Sequence, residues 1–229
     1  MAIKLTTTAQ AAQNGIKAIV YGLAGAGKTT LARTAPEPII IISAEGGMLS
    51  LHDVDLPVIE VSTMDDVHEA YSFLTDSDEA KGFRWVMLDS ISEIAEVVLN
   101  AEKKIAKDPR QAYGAMQEQM AGMVRAFRDL PERHVLMTAK MERIKDEVSG
   151  AMLYSPSMPG TKMGPSLPYY FDEVFALRVE RDADGQPTRA IQTQSDFQYV
   201  CKDRSGKLEM YEEPNLAVIA GKILNRSTN

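Results

Sequence analysis

The stretch VYGLAGAGKTTLA, from Val20 to Ala32, contains a full match to G-x-x-x-x-G-K-[ST], which begins at Gly22 and ends at Thr29. A β-branched run precedes the match and a helix-like run follows it. In this setting the glycines let successive backbone N–H groups curl around a polyphosphate, and the following helix adds its positive end. The stretch therefore predicts a phosphate-binding P-loop. The dinucleotide pattern G-x-G-x-x-G fails, because Gly25 is followed by Ala-Gly-Lys-Thr-Thr.

The P-loop pattern indicates a nucleotide and Mg²⁺ as the ligands and gives its side chains separate roles. Lys28 is expected to reach the β- and γ-phosphates, and the Thr29 hydroxyl to ligate Mg²⁺. The residues predicted to bind the nucleotide are Gly22, Gly25, Ala26, Gly27, Lys28, Thr29 and Thr30.

A second apolar run, WVML, ends in Asp89. A P-loop enzyme needs an acid at the end of a neighbouring strand to hold the metal ion through water, and Asp89 is predicted to be that acid. By itself, an aspartate after a strand is often a helix cap. Here Ser90 or Ser92 could cap the following helix instead.

Glu45 follows the run IIIISA, at the carboxyl end of a predicted strand. Ligands of open α/β sheets gather at such ends, so Glu45 is predicted to polarise the attacking water. The alternative is a solvated loop acid beside Gly46. Glu93 is a second candidate, but it lies one turn into the next helix and would point less directly at the γ-phosphate.

Strand and helix patterns alternate over the first 140 residues. Repeated alternation requires crossover connections, which predicts an α/β fold with a mostly parallel central sheet flanked by helices. Two stripes at helical spacing are predicted to pack on that sheet: Ile91, Ile94, Val98 and Ile105 form the first, and Met116, Met120, Met123, Phe127 and Leu130 the second. A soft partner-binding face is the alternative for the methionine stripe.

The pattern changes after Lys140. Hairpins are predicted to turn at Ser149–Gly150 and near Asp184–Gly185, and a last helix runs from about Pro214 to Leu224. The segment 155–168 has four prolines and is predicted to be irregular. Residues 1–15 are predicted to be a polar arm, and residues 16–229 a single domain.

Composition limits the classes of protein further. The chain has 229 residues, a net charge of −7 and one cysteine. Nucleic-acid binding over the whole surface and a disulfide framework are both excluded. Apolar runs are too short to span a bilayer, so a cytoplasmic protein without membrane contact is expected.

The P-loop, IIIISAEGG and VMLDSISE in this order resemble the core of the RecA-type recombinases. The resemblance implies that Glu45 is the catalytic glutamate and that Asp89 ends the metal-binding strand. In the segment HVLMTAKMER, Thr138 or Lys140 occupies the place of the γ-phosphate sensor, where the best-known members carry glutamine. Lys140 is therefore predicted to be catalytic.

The same resemblance implies two single-stranded DNA-binding loops, at about 103–113 and 146–168. The first contains Lys103, Lys104, Lys107 and Arg110, whose alternative role is to sit favourably at a helix C-terminus. The second has an irregular surface loop as its alternative. Arg204, or else Lys202, in KDRSGKL would reach the ATP of a neighbouring subunit; otherwise both are solvated.

In four features the chain resembles the compact RecA-like ATPases of bacteriophages, the Sak-type recombination proteins. These features are its size, the segments GLAGAGKTTLA and KDRSGKL, and a short C-terminal helix. This implies a DNA-stimulated, Mg-dependent ATPase of phage-type annealing or recombination. It also implies a homo-oligomer, ring or filament, with ATP at subunit interfaces, and a single-strand-binding protein as partner. The alternatives are an ATP-dependent switch that binds no DNA and a small-molecule or nucleotide kinase. The candidate kinase lid, residues 155–168, lacks arginine.

Overall fold

The computed structural model describes Thr7, residues 15–147 and residues 149–224. The arm predicted for residues 1–15 therefore lies, except for Thr7 and Gly15, outside the described residues. Within the described part, one sheet of ten strands forms the centre of the molecule. Its strands are β1 Lys17–Gly22, β2 Ile39–Ser43, β3 Val58–Glu60, β4 Trp85–Asp89, β5 His134–Lys145, β6 Met152–Pro156, β7 Glu173–Arg181, β8 Pro187–Gln192, β9 Lys202–Asp203 and β10 Tyr211–Glu212.

The strand order across the sheet is β10-β8-β7-β1-β5-β4-β2-β3, with β6 beside β5 and β9 beside β7. Every pair from β7 through β3 in this order is parallel. Strands β6, β8, β9 and β10 join antiparallel. The predicted fold class is confirmed, including the hairpins after Lys140. Strand β5 separates the P-loop strand β1 from β4, which ends in Asp89.

Helices cover both faces of the sheet. The α-helices are α1 Met64–Asp76, α2 Ile91–Ile105, α3 Pro109–Arg128, α4 Met163–Ser166 and α5 Leu216–Ile223, and the 3₁₀ segments are Thr29–Thr34, Met48–Leu51, Glu79–Gly82 and Leu167–Tyr169. Alternate residues of β1 belong to different cores: Ile19 and Tyr21 pack with α1 to α3, whereas Ala18 and Val20 pack with α5. No helix of the described residues has the length and apolarity needed to cross a membrane.

The methionine stripe lies in the core. Met116, Met120 and Met123 are all buried against the sheet, so packing, and not a partner-binding face, is the role the structure supports. The predicted stripe that begins at Ile91 extends too far, because its last member, Ile105, does not pack on the sheet. Ile105 is 78% exposed, because it is the last residue of α2 and the chain is already extended at Ala106.

The segment after the P-loop is a short 3₁₀ helix at Thr29–Thr34. The Leu31 N–H donates to the Lys28 carbonyl three residues back. The hydroxyls of Thr30 and Thr34 also donate to carbonyls three residues back, at 2.7 Å each. Threonine side chains that compete for these carbonyls favour such a tight turn.

Candidate active site

The P-loop leaves β1 at Gly22 and needs its glycines for two different reasons. Gly25 and Gly27 have φ angles of +73° and +104°, a region that side chains other than glycine rarely adopt. Gly22 has an ordinary φ, but a Cβ there would lie 2.8 Å from the carbonyl oxygen of Leu177 on β7. The conformation of the loop and its fit against the sheet both depend on these positions.

Lys28 folds back over the start of the loop. Its Nζ donates to the carbonyl oxygens of Gly22 at 3.0 Å and Leu23 at 3.1 Å. Burial lowers the pKa of Lys28, and the negative charges of Glu45 and Asp89 oppose that shift. The ammonium group thus lies at the loop, within the field of the two predicted acids.

Asp89, at the end of β4, is buried and holds two hydroxyl groups. The Thr29 hydroxyl donates to Oδ2 at 2.6 Å, and the Thr138 hydroxyl on β5 donates to Oδ1. A hydroxyl and a carboxylate are hard oxygen ligands of the kind that Mg²⁺ prefers, so these residues fit the ion. Within the described residues, no group of three or more His, Cys, Asp or Glu side chains could hold a metal ion by itself. In nucleotide sites Mg²⁺ also takes oxygen ligands from water and phosphate.

Glu45 follows β2 and reaches the neighbouring strand end. The Ser90 hydroxyl donates to Oε1 of Glu45. The same hydroxyl accepts a 3.4 Å hydrogen bond from the Glu93 N–H and caps α2. Ser90 therefore caps α2 and also orients the Glu45 carboxylate. Ser90 itself occupies the position directly after the metal-side aspartate, where many P-loop enzymes carry the catalytic glutamate.

Lys140 lies opposite Gly22 in the pairing of β5 with β1. Its Nζ lies 2.7 Å from Oε2 of Glu93 and 2.9 Å from Oε1 of Glu96, both on α2. These carboxylates raise the pKa of Lys140, so the side chain carries its charge throughout the neutral range. Of the two sensor candidates, Thr138 contacts the metal-side acid and Lys140 ties β5 to α2.

Arg204 lies at the end of the strands opposite to the P-loop. It follows β9, which pairs with the first residues of β7, and its Nη1 is 2.6 Å from Oδ1 of Asp172. Since β7 runs parallel to β1, this end is the one remote from the P-loop. The Arg204 side chain is 62% exposed. Arg204 therefore does not belong to the P-loop site of its own chain; the trans role predicted for it would require a second subunit.

The first predicted DNA loop is mostly helix. Helix α2 ends at Ile105 and α3 begins at Pro109, after Asp108 accepts a 2.8 Å hydrogen bond from the Arg110 N–H. The prediction of a loop over residues 103–113 is therefore wrong, because a capped, proline-started helix occupies its second half. Lys103 and Lys104 lie in the last turn of α2, as the alternative interpretation expected.

The two segments predicted to bind DNA nevertheless meet. Lys103 Nζ lies 5.5 Å from the centre of the Tyr113 ring. A Cβ on Gly160, in the second segment, would lie 3.1 Å from Cδ1 of that ring. A cavity of about 580 Å³ lies between α2 and residues 157–161.

A separate cavity of about 540 Å³ contains the predicted nucleotide site. Its lining residues are Ala24, Gly25, Gly27, Lys28, Thr29, Thr30, Glu45, Ser50 and Arg189. The fold thus brings Glu45 and the P-loop to one cavity, as the sequence predicts. Sequence reasoning missed Arg189, since it lies on a hairpin strand that no motif connects with the P-loop.

Comparison with protein families agrees with this geometry. A family model described as an AAA domain matches residues 14–205, which span the P-loop, Glu45, Asp89 and the sheet through β9. No curated protein matches the chain significantly. The chain belongs to this AAA-domain family, a P-loop NTPase type of nucleotide-binding ATPase.

Proposed function

We propose that this protein is a Mg-dependent ATPase that acts on single-stranded DNA in phage-type annealing or recombination. The observation that supports the ATPase activity is that four side chains meet at the carboxyl ends of the parallel strands: those of Lys28, Thr29, Glu45 and Asp89. Thr29 bonds to Asp89, and Lys28 lines one cavity with Glu45. These are the groups needed to hold a metal ion, neutralise phosphate charge and position water.

Each of these residues has one task in the proposed reaction. Lys28 gives up its hydrogen bonds to the loop carbonyls and donates instead to the β- and γ-phosphate oxygens. Thr29 and Asp89 hold Mg²⁺, which when bound withdraws charge from the phosphates. Glu45 accepts a hydrogen bond from the attacking water and so turns its lone pair toward the γ-phosphorus. Ser90 holds the Glu45 carboxylate in place.

The ion pairs of Lys140 support a connection between the nucleotide site and the segments proposed to bind DNA. Its partner Glu96 also lines the cavity between α2 and residues 157–161, where Lys103 and Gly160 lie. The backbone N–H of Lys140 donates to Ser92, whose hydroxyl donates to the Ser157 carbonyl at 2.7 Å. A change at the γ-phosphate would reach the second DNA segment through these contacts. Lys140 is the proposed sensor.

Oligomer formation is part of the proposal. ATP lies between subunits, and Arg204 of one subunit approaches the ATP of the next. The exposure of Arg204 and its distance from its own P-loop are what this requires. A ring and a filament both satisfy it, and a single-strand-binding protein would act beside it.

An ATP-dependent switch that binds no DNA is the second candidate, and the net charge of −7 favours it. Glu96 and Glu142 also place negative charge in the cavity near Lys103. A kinase is less well supported. Among the residues described, none from 155–168, the only candidate lid, lines the P-loop cavity.

The deciding experiment measures ATPase rate with and without single-stranded DNA, at low and at moderate salt. The proposal predicts stimulation that weakens as salt rises, because phosphate contacts release counterions. A rate that does not respond to DNA would favour the switch. Lys28→Ala serves as the control for contaminating ATPase, and Lys103→Ala is compared with Lys81→Ala, an exposed lysine on another surface.

Two further measurements separate the remaining alternatives. Particle mass is measured with and without a non-hydrolysable ATP analogue and single-stranded DNA. Assembly that requires both ligands supports the recombination role, and a monomer under all conditions contradicts it. Phosphate transfer from ATP to a panel of nucleosides would instead identify a kinase.

A further inference from the structure

The antiparallel hairpin of β7 and β8 places an arginine against the P-loop. Arg189 on β8 pairs with Val179 on β7, and β7 itself lies directly beside β1. The Arg189 Nε donates to the Ala26 carbonyl oxygen at 2.9 Å. Its Nε and Cδ lie 3.5 and 3.6 Å from where a Cβ on Gly27 would be. Arg189 therefore contacts the loop at Ala26 and lies beside Gly27, the residue that precedes Lys28.

Arg189 also lines the 540 Å³ cavity that contains Lys28, Thr29 and Glu45. Among the described residues that line it, Arg189 is the one arginine and Lys28 the one lysine. A nucleoside triphosphate brings several negative charges into this space. Mg²⁺ and a single ammonium group, which already faces the charges of Glu45 and Asp89, leave part of that charge uncompensated.

The guanidinium of Arg189 has donors to spare. It carries five N–H groups, and in the described part of the chain only Nε–H is engaged, with Ala26. Other arginines of the same hairpin are used within the protein: Arg178 bonds to Gln192 and Tyr211, and Arg181 bonds to the Gly185 carbonyl. Arg189 is exposed and held at one nitrogen, which leaves its terminal amino groups available to a ligand in the cavity.

We propose that Arg189 binds the phosphate chain of the nucleotide within its own subunit, as the second cation of the site. This inference rests on the proposed ATPase function and adds a ligand residue to it. The Nε–Ala26 bond orients the planar fork, and the terminal nitrogens donate to phosphate oxygens in the paired geometry that guanidinium favours. Nucleotide binding would then hold the β7–β8 hairpin against the P-loop.

The test is ATP affinity by titration calorimetry for four proteins: wild type, Arg189→Ala, Arg189→Lys and Arg181→Ala. Loss of one charge-assisted hydrogen bond predicts a roughly 10- to 100-fold weaker affinity for Arg189→Ala. Arg189→Lys keeps the charge but not the fork, so its affinity is expected between those of Arg189→Ala and wild type. Arg181→Ala, on the same hairpin, is expected to bind like wild type.

A second measurement excludes a purely structural role. Because Arg189 is exposed, the melting temperature of nucleotide-free Arg189→Ala is expected to match wild type, while the shift caused by ATP shrinks. Wild-type affinity in Arg189→Ala would overturn the inference. So would a lower nucleotide-free melting temperature together with an Arg189→Lys protein that binds no better than Arg189→Ala. Failure of wild-type protein to bind ATP would instead overturn the proposed function.

Discussion

Oγ1 of Thr29 lies 2.6 Å from Oδ2 of Asp89, although 60 residues separate them along the chain. The bond joins the loop after β1 to the end of β4, across the intervening strand β5. Thr138 of β5 donates to the other oxygen of the same carboxylate. The proposed metal site therefore depends on three adjacent parallel strands: β1 and β4 end close to the same level of β5, which itself continues to Lys145.

Asp89→Asn is expected to uncouple nucleotide binding from Mg²⁺. The amide keeps the side-chain volume but lacks the charge that holds the ion. Titration with ATP should give the same affinity with Mg²⁺ as with EDTA, and turnover should fall roughly 100-fold. Asp78→Asn is the control, since Asp78 is 92% exposed and its ion pair is with nearby Lys81. An unchanged response to Mg²⁺ would remove Asp89 from the metal site.

Lys28→Ala is expected to abolish ATP binding and to leave the protein folded. In the described part of the chain, the Lys28 side chain donates to the Gly22 and Leu23 carbonyls of the loop, and no buried ion pair is broken by its removal. A fluorescent ATP analogue measures the affinity, and far-UV circular dichroism checks the fold. Lys81→Ala should bind like wild type. Retention of wild-type affinity in Lys28→Ala would contradict the assignment of the cavity as the nucleotide site.

Glu45→Gln is expected to bind ATP like wild type and to hydrolyse it at least about 100-fold more slowly, because the amide no longer polarises water. Single-turnover hydrolysis and ATP titration separate the two effects. Glu60→Gln, another acid at a strand end, is the control. Normal turnover by Glu45→Gln would exclude this glutamate.

Ser90→Gly tests whether the serine positions Glu45. Glycine is tolerated at an N-cap at a cost of a few tenths of a kcal/mol, so α2 should persist. Without the hydroxyl, Glu45 loses its partner, and kcat should fall about 10-fold with the KM for ATP unchanged, less than in Glu45→Gln. In the Glu45→Gln background the same substitution should have no further effect. Independent, additive losses would show that Ser90 acts in another way.

Stability is expected to fall as pH rises from 4.5 to 8. Burial, together with the charge of Asp203, raises the pKa of Glu173 from 4.5 to about 8. In this window the folded state keeps a proton that the unfolded state has released, so each pH unit costs up to about 1.4 kcal/mol. The measurement is urea unfolding at several pH values. Glu173→Gln should show a flatter profile across the window, and an equal slope would contradict the assignment.

The fold could be predicted because its signals are local and repeated. Apolar runs such as Pro38–Ser43 and the glycine pattern at Gly22 predict a strand or a turn wherever they occur. Crossover connections then require parallel strands. The ends of elements were less certain. Ile105 continues a helical stripe, yet nothing in the stripe predicts that α2 stops there and leaves it exposed.

The residues of the candidate site also differ in whether the sequence alone predicts their roles. The P-loop residues and Asp89 could be assigned because their backbone chemistry and position at a strand end follow from adjacent residues. The contact of Ser90 with Glu45 and the position of Arg189 at the site could not be predicted. The partners of these two residues, Glu45 and the Ala26 carbonyl, lie 45 and 163 residues away. Such contacts depend on which strands become neighbours in the sheet.

By itself, the sequence determined the parallel α/β sheet and predicted a phosphate-binding loop at Gly22–Thr29, since turn chemistry and hydrophobic period are local properties. Only the tertiary structure decided which distant side chains meet there. The insertion of β5 between β1 and β4 sets the spacing of Thr29 and Asp89. The pairing of β7 with β1 brings the β7–β8 hairpin, and with it Arg189, to the same cavity.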